Sequence, residues 1–239
     1  MSYNTFSPIV NNGLVLYLDA ANSKSYPGYL FSGVPTWDDL SSNASDGLMI
    51  NGPSFSSSNG GKIIFDGVND YVDLGVNPSC YSPGGFTIDS WVNILINSTQ
   101  GNPILCIYAG SGYEYVFGTS GNSLYGWVYD QLNSAYVGRH GPLSSSTNTW
   151  MNLTMVYDGG TVSSSVKLYL NGIQFDTSNF SSGTFVSIRN SSTSMIVGNA
   201  NSGIGGPING SISTLKYYTR ALPPVEILKN YNALKNRFI

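Results

Sequence analysis

The chain has 239 residues and a formal net charge of −3, with only 10% charged residues where ordinary soluble domains carry about 25%. Its ten Lys and Arg residues are scattered, the densest group being Lys229, Lys235 and Arg237, which excludes the basic footprint of a nucleic-acid-binding protein. No run of about 18 apolar residues exists to cross a membrane as a helix. The length suits a single all-β domain of about 200 to 250 residues.

Residues 1 to 12 read as an N-terminal arm ahead of one domain spanning 13 to 239. The arm has neither a basic n-region nor an apolar h-region, so no conventional export signal is expected. Tyr3, Phe6 and Ile9 recur in it at intervals of three. Apolar groups so placed should add a strand to a sheet edge or dock on a neighbouring subunit.

Beyond the arm, strand follows strand, with period-2 alternation and turn residues between. "GLVLYLDA" (13 to 20) comes first. The segment from Asn22 to Asp46, with Pro27, Gly28, Gly33 and Pro35, reads as the longest loop, anchored by Tyr26, Tyr29, Phe31 and Trp37. "GKIIFDG" and "DYVDLG" follow. "GFTIDSWVNILI" (85 to 96) places Phe86, Ile88, Val92, Ile94 and Ile96 on one face and Asp89, Trp91 and Asn93 on the other. "PILCIYAG", "YEYVFGTSG", "SLYGWVYD" and "SAYVGR" come next. "TWMNLTMVYDGG" and "SVKLYLNGIQFDT" form a pair, the second with a hairpin turn at Asn171 and Gly172. "SMIVGNA" and "GSISTLKYY" close the β part. The spacing of Val225, Leu228, Tyr231 and Leu234 after two prolines predicts one helix over 224 to 236. The fold class expected is therefore all-β, a two-sheet antiparallel sandwich with one short C-terminal helix.

Two cysteines, Cys80 and Cys106, imply no disulfide framework and are read as free thiols. The single histidine, His140 in "GRHGP", reads as a solvated loop side chain. One His and two separated Cys cannot supply a zinc site.

The aromatic residues offer two readings. Tyr113, Tyr115 and Phe117 share one face of their strand, and Tyr125, Trp127 and Tyr129 one face of the next, with Leu124, Gly126 and Val128 opposite. Either these rings fill the space between two sheets, or they form an open surface on which sugar rings stack. The acidic stretch "FDGVNDYVDLG" (65 to 75) fails the EF-hand template, because Gly67 follows Asp66 at once. It reads first as a tight turn whose Asp and Asn side chains bond local backbone.

Seven phrases carry a family resemblance in the right order over nearly the whole chain. They are "GLVLYLDAANSKSYPG", "WDDLSSNASDGLMINGPSF", "GGKIIFDGVNDYVDLG", "FTIDSWV", "TWMNLTMVYDGG", "VKLYLNGIQFD" and "GSISTLKYYTRALPPVEILKNYNALKNRF". Together they resemble the laminin-G-like domains of the concanavalin A-like jelly-roll superfamily, and most of all the versions in tailed-phage and giant-virus structural proteins and bacterial surface proteins. One departure is at "RALPP", where relatives often have a Ser N-cap and this chain has Pro223 and Pro224. The resemblance also implies a calcium ion at the sandwich rim, for which Asn69 and Asp70 are the candidate ligands.

Such a family includes glycosidases, lectins and structural modules, so the residues must choose among them. Its retaining glycosidases carry paired glutamates spaced Glu-x-Asp-x-x-Glu, about 5 Å apart. This chain has only Glu114 and Glu226, so no enzyme is expected; Asp89, Asp130 and Asp158 are the remaining carboxylates to check. The leading expectation is a non-enzymatic virion or surface structural module, a capsid decoration, fibre or tail component that packs against other virion proteins as a homo-oligomer. The alternative is a carbohydrate-binding adhesin on a virion or cell surface, holding host glycans through Tyr125, Trp127 and Tyr129.

Overall fold

The computed structural model describes residues 8–26, 30–31, 33–96, 101–109, 112–143, 148–200 and 205–239. Among these residues the strands run β1 (Leu14–Asp19), β2 (Leu30–Phe31), β3 (Val34–Trp37), β4 (Gly47–Ile50), β5 (Ser54–Ser56), β6 (Lys62–Asp66), β7 (Tyr71–Asp73), β8 (Phe86–Ile96) and β9 (Asn102–Ala109). They continue with β10 (Gly112–Ser120), β11 (Ser123–Asp130), β12 (Ala135–Pro142), β13 (Trp150–Tyr157), β14 (Val166–Leu170), β15 (Ile173–Gln174), β16 (Ser178–Ser182), β17 (Ile196–Val197) and β18 (Asn209–Tyr218). One helix, α1 (Pro224–Leu234), and a 3-10 turn at Lys235–Arg237 end the chain.

The strands form two antiparallel sheets, as expected of a jelly-roll sandwich. The first is ordered β15-β14-β13-β8-β18-β6-β5, with β1 also on β18, and the second β16-β12-β11-β10-β9-β17-β7-β4-β3-β2. Long β18 pairs along one edge with β8, while β6 and β1 share its other edge, so the first strand lies beside the last. The predicted hairpin joins β14 and β15 through Asn171 and Gly172, at φ 52° and 82°. Both angles are positive, as a type I′ turn requires.

Alternation decides which residues enter the core. Phe86, Ile88, Val92 and Ile94 of β8 meet Tyr115 and Phe117 of β10 and Leu153, Met155 and Tyr157 of β13 between the sheets. Phe86 is the hub: its ring lies 4.9 Å from Tyr115, 5.5 Å from Tyr157 and 5.4 Å from Tyr217. The sheets pack closely at Gly126, where a Cβ would sit 2.7 Å from Met155 Sδ. A side chain there would displace Met155 from its place in the core.

The outer face of the first sheet is closed by α1 and the residues after it. Trp91 stacks on Tyr231 at 5.7 Å and on Phe238 at 4.2 Å. Pro223 takes the N-cap position with no side-chain bond, and Pro224 follows at the first helical position, which tolerates a missing N–H. The end of the arm docks on the same face: the Val10 N–H donates to Asn230 Oδ1 at 2.9 Å and the Tyr218 hydroxyl donates to Val10 O at 3.0 Å. Tyr3 and Phe6 lie outside the described residues.

Between Tyr218 and Trp91, on this covered face, Lys216 Nζ bonds Asp89 Oδ1, and both side chains are essentially inaccessible. The other carboxylate oxygen of Asp89 accepts from Asn152 Nδ2 at 3.1 Å and Thr154 Oγ1 at 2.9 Å.

Two stretches differ from the sequence expectation. The supposed loop from Asn22 to Asp46 contributes β2 and β3 to one end of the second sheet, buries Trp37 completely, and stacks Tyr26 on Phe55 at 4.5 Å; Tyr29 is outside the described residues and only the backbone of Phe31 is described. β16, "SNFSS", has no apolar alternation to announce it and forms because β12 offers it an open edge.

Lys216→Met leaves the Asp89 carboxylate buried without its cation and should cost about 3–5 kcal/mol in urea denaturation, whereas the double variant Lys216→Met/Asp89→Leu should recover much of that loss.

Candidate functional site

With α1 on one outer face of the sandwich, the other outer face is that of the second sheet. Strand registers set out one row across it: Leu48, Asp73, Ile196, Cys106, Val116, Trp127, Gly138 and Phe180 lie side by side on β4, β7, β17, β9, β10, β11, β12 and β16. The middle of the row is buried. Ile196, Cys106 and Val116 form an apolar floor with Tyr125 and Ala200, and the Cys106 thiol donates to Asn199 O at 3.3 Å. Asn199 and Ala200, after β17, thus lie over this floor.

On β11, β12 and β16 the row opens into an aromatic shelf. Trp127, Tyr129, Tyr136, His140 and Phe180 are half-buried, while Tyr125 is 7% exposed. Trp127 lies 6.0 Å from Tyr129 in an edge-on arrangement and 5.8 Å from Tyr136. Phe180 lies 5.9 Å from Tyr136 and 4.4 Å from His140. Gly138 makes the shelf possible, because a Cβ there would come within 2.5 Å of both the Phe180 ring and Trp127 Cβ.

Sequence reasoning paired Tyr125, Trp127 and Tyr129 correctly on one face, and that face points away from the core. Tyr115 and Phe117 take the other reading and are core; the side chain of Tyr113 is not described. Tyr136, His140 and Phe180 were missed as members. His140 is in β12, not a loop, and burial pushes its pKa below the ordinary value, so the imidazole is neutral at pH 7. Alternation in "SAYVGRH" could have placed Tyr136 and His140, but nothing local could have brought Phe180 to them.

The remaining candidates serve the architecture. The Asn69 side chain is exposed and its carbonyl accepts from Asn51 Nδ2 at 2.9 Å, while buried Asp70 accepts the Asp66 N–H through Oδ2 at 3.0 Å and its Oδ1 has no hydrogen-bond partner among the described residues. Asp66 and Asp73 likewise take the N–H groups of Val68 and Gly75, both at 2.8 Å. The stretch is a turn tied by its own carboxylates, and desolvation raises the Asp70 pKa. Among the described residues no group of three or more His, Cys, Asp or Glu is gathered as a metal would need.

Glu114 is buried and its Oε1 accepts the Ser191 N–H at 2.7 Å and hydroxyl at 2.9 Å. Glu226 pairs with Arg220 at 2.6 Å and Asp158 with Lys167 at 2.7 Å. Asp130 accepts the backbone of Val186 at 3.0 Å and of Leu132 at 3.1 Å. Both thiols are free and buried, and burial pushes Cys106 up to about 12. A cleft of about 350 Å³ opens at the sandwich edge below β16, lined by Val137, Val162, Ser163, Ser181, Thr184 and Phe185.

A sandwich with one face closed by a helix and the other bearing exposed rings is lectin-like in architecture. The Laminin_G_3 family model, described as concanavalin A-like lectin/glucanases superfamily, matches residues 66–228, and the chain belongs to that family. No curated protein matches it in sequence. Among solved structures, the binding domain of Paraclostridial Mosquitocidal Protein 1 is similar at TM-score 0.65 and 16% identity, over 92% of this chain and 52% of that one. Domain 4 of AbnA, a GH43 extracellular arabinanase from Geobacillus stearothermophilus solved with arabinotriose, is similar at TM-score 0.64 and 17% identity, over 91% and 98%. A botulinum neurotoxin type C structure, whose cell entry is described as dependent on two ganglioside molecules, is similar at TM-score 0.65 and 13% identity, over 93% and 51%. The chain thus spans about half the length of the two toxin structures and nearly all of the arabinanase domain. At these identities the likeness shows the fold.

Because the Trp127 ring is half outside, Trp127→Ala should cost only about 1–2 kcal/mol in thermal or urea unfolding, against about 3–5 kcal/mol for Phe117→Ala in the core. A calcium ion bound only to the folded chain would add about 2.7 kcal/mol at a hundredfold excess over its Kd. For a stretch whose carboxylates already hold backbone, the melting temperature in EDTA should equal that in millimolar calcium; a rise abolished by Asp70→Ala would establish a rim site.

Proposed function

We propose that the chain is a non-catalytic glycan-binding module that holds sugars on the shelf of Trp127, Tyr129, Tyr136 and Phe180. The observation that carries this reading is a contiguous set of half-exposed rings on a rigid sheet, in a fold whose other outer face is closed. Rings of this kind take the apolar faces of sugars, and Tyr hydroxyls add hydrogen bonds. The similar arabinanase domain was solved with arabinotriose, which supports a saccharide ligand. The non-catalytic part rests on the carboxylates, because Glu114, Asp89 and Asp130 are buried and committed to backbone or cation partners.

The virion or surface structural role is a statement of where such a module is carried. It is supported by the family resemblance and by a chain with only 10% charged residues, which suits close packing against other subunits; a homo-oligomer in light scattering and location of the chain in a purified particle would test it.

On a glycan array the purified protein should give reproducible hits, and Trp127→Ala should weaken them about tenfold, equivalent to about 1.4 kcal/mol, with unchanged far-UV circular dichroism. An array without Trp127-dependent hits would refute the proposal.

A further inference from the structure

Resting on that glycan-binding reading, we infer that the shelf selects a neutral oligosaccharide lying flat across it and discriminates against sialylated or uronic-acid-containing glycans. The outward positions of β11, β12 and β16 are Ser123, Tyr125, Trp127, Tyr129, Tyr136, Gly138, His140, Pro142, Ser178, Phe180 and Ser182. None is Lys, Arg, Asp or Glu. Asn199 and Ala200, which lie at the floor beside the shelf's row, carry no charge either.

The two arginines near the shelf are occupied. Arg139 points to the opposite face, where it pairs with Asp176, and Arg189 lies 3.7 Å from Asp130. In the row through Trp127, the charged residue on the outer face is Asp73, four strands away. At about 4.8 Å per strand that is roughly 19 Å, beyond a Debye length in physiological salt. A sugar carboxylate needs a charge-assisted partner, typically an Arg fork, to offset its desolvation. This face supplies rings, hydroxyls and an imidazole that burial keeps neutral at pH 7.

Extent argues in the same direction. Tyr136 to His140 spans about 13 Å along β12, and β11 to β16 about 10 Å across. That area accepts about two or three sugar rings side by side, a chain interior rather than one terminal residue.

Calorimetry on the full chain tests the inference. The neutral probes are cello-, xylo-, manno-, galacto- and arabino-hexaose; the acidic ones are hexagalacturonate and the sialylated ganglioside GM1 pentasaccharide. The expected result is binding of at least one neutral hexaose with a Kd that changes less than twofold between 50 and 500 mM NaCl, and at least tenfold weaker binding of both acidic probes. Trp127→Ala should weaken the neutral Kd about tenfold and Trp127→Phe should keep most of the affinity, which separates loss of the ring from misfolding. An acidic probe binding as tightly as any neutral one, in a Trp127-dependent manner, overturns the selectivity and leaves the glycan reading standing. Absence of Trp127-dependent binding by every probe, neutral or acidic, overturns both.

Discussion

A two-sheet sandwich can bury only one face of each sheet against the other, and this molecule treats its two leftover faces in opposite ways. On the first sheet, the outward residues of β8 and β18 include Asp89, Trp91, Lys216 and Tyr218, too polar to form a core and too buried to be surface. The C-terminal helix and its tail resolve this by covering them: Trp91 is held between Tyr231 and Phe238, and Tyr218 between Val10 and Asn230. The Lys216–Asp89 pair becomes tolerable because Asn152 and Thr154 complete the carboxylate's bonds, the condition under which a buried ion pair is not a liability.

Among the described residues no helix covers the second sheet. Its outer face is apolar where Asn199 and Ala200 lie over it and aromatic, with half-buried rings, on β11, β12 and β16. Glycines set this relief from both sides. Gly126 lets the first sheet press close beneath Trp127, and Gly138 lets the Phe180 ring lie beside it. A shelf so supported from below is pre-organised, and a ligand meeting it has little ordering to impose.

The scarcity of charge acquires a reason in this arrangement. Many of the acids that exist are structural. Asp19 holds Arg237 and the Ala21 N–H, Asp39 takes the N–H groups of Tyr17, Ser41 and Ser45, and Asp130 ties the 186–187 backbone to the end of β11. Carboxylates used as anchors for irregular backbone leave the shelf to uncharged rings and hydroxyls.

The sequence by itself determined most of the strands, which residues of each share a face, the Asn171–Gly172 hairpin and the closing helix, because side-chain alternation, turn chemistry and helix periodicity are local properties of the chain. It determined likewise that Tyr125, Trp127 and Tyr129 share a face. It could not say which way that face looks, since Tyr115–Phe117 and Tyr125–Tyr129 are equally alternating yet one set is core and the other surface. That was decided by packing: Gly126 meets Met155 across the sandwich, which turns Trp127 outward. Only the tertiary structure could add Phe180, carried by a polar five-residue strand with no pattern of its own, or draw β2 and β3 out of an apparent loop, because an edge strand takes its conformation from the neighbour whose backbone it completes.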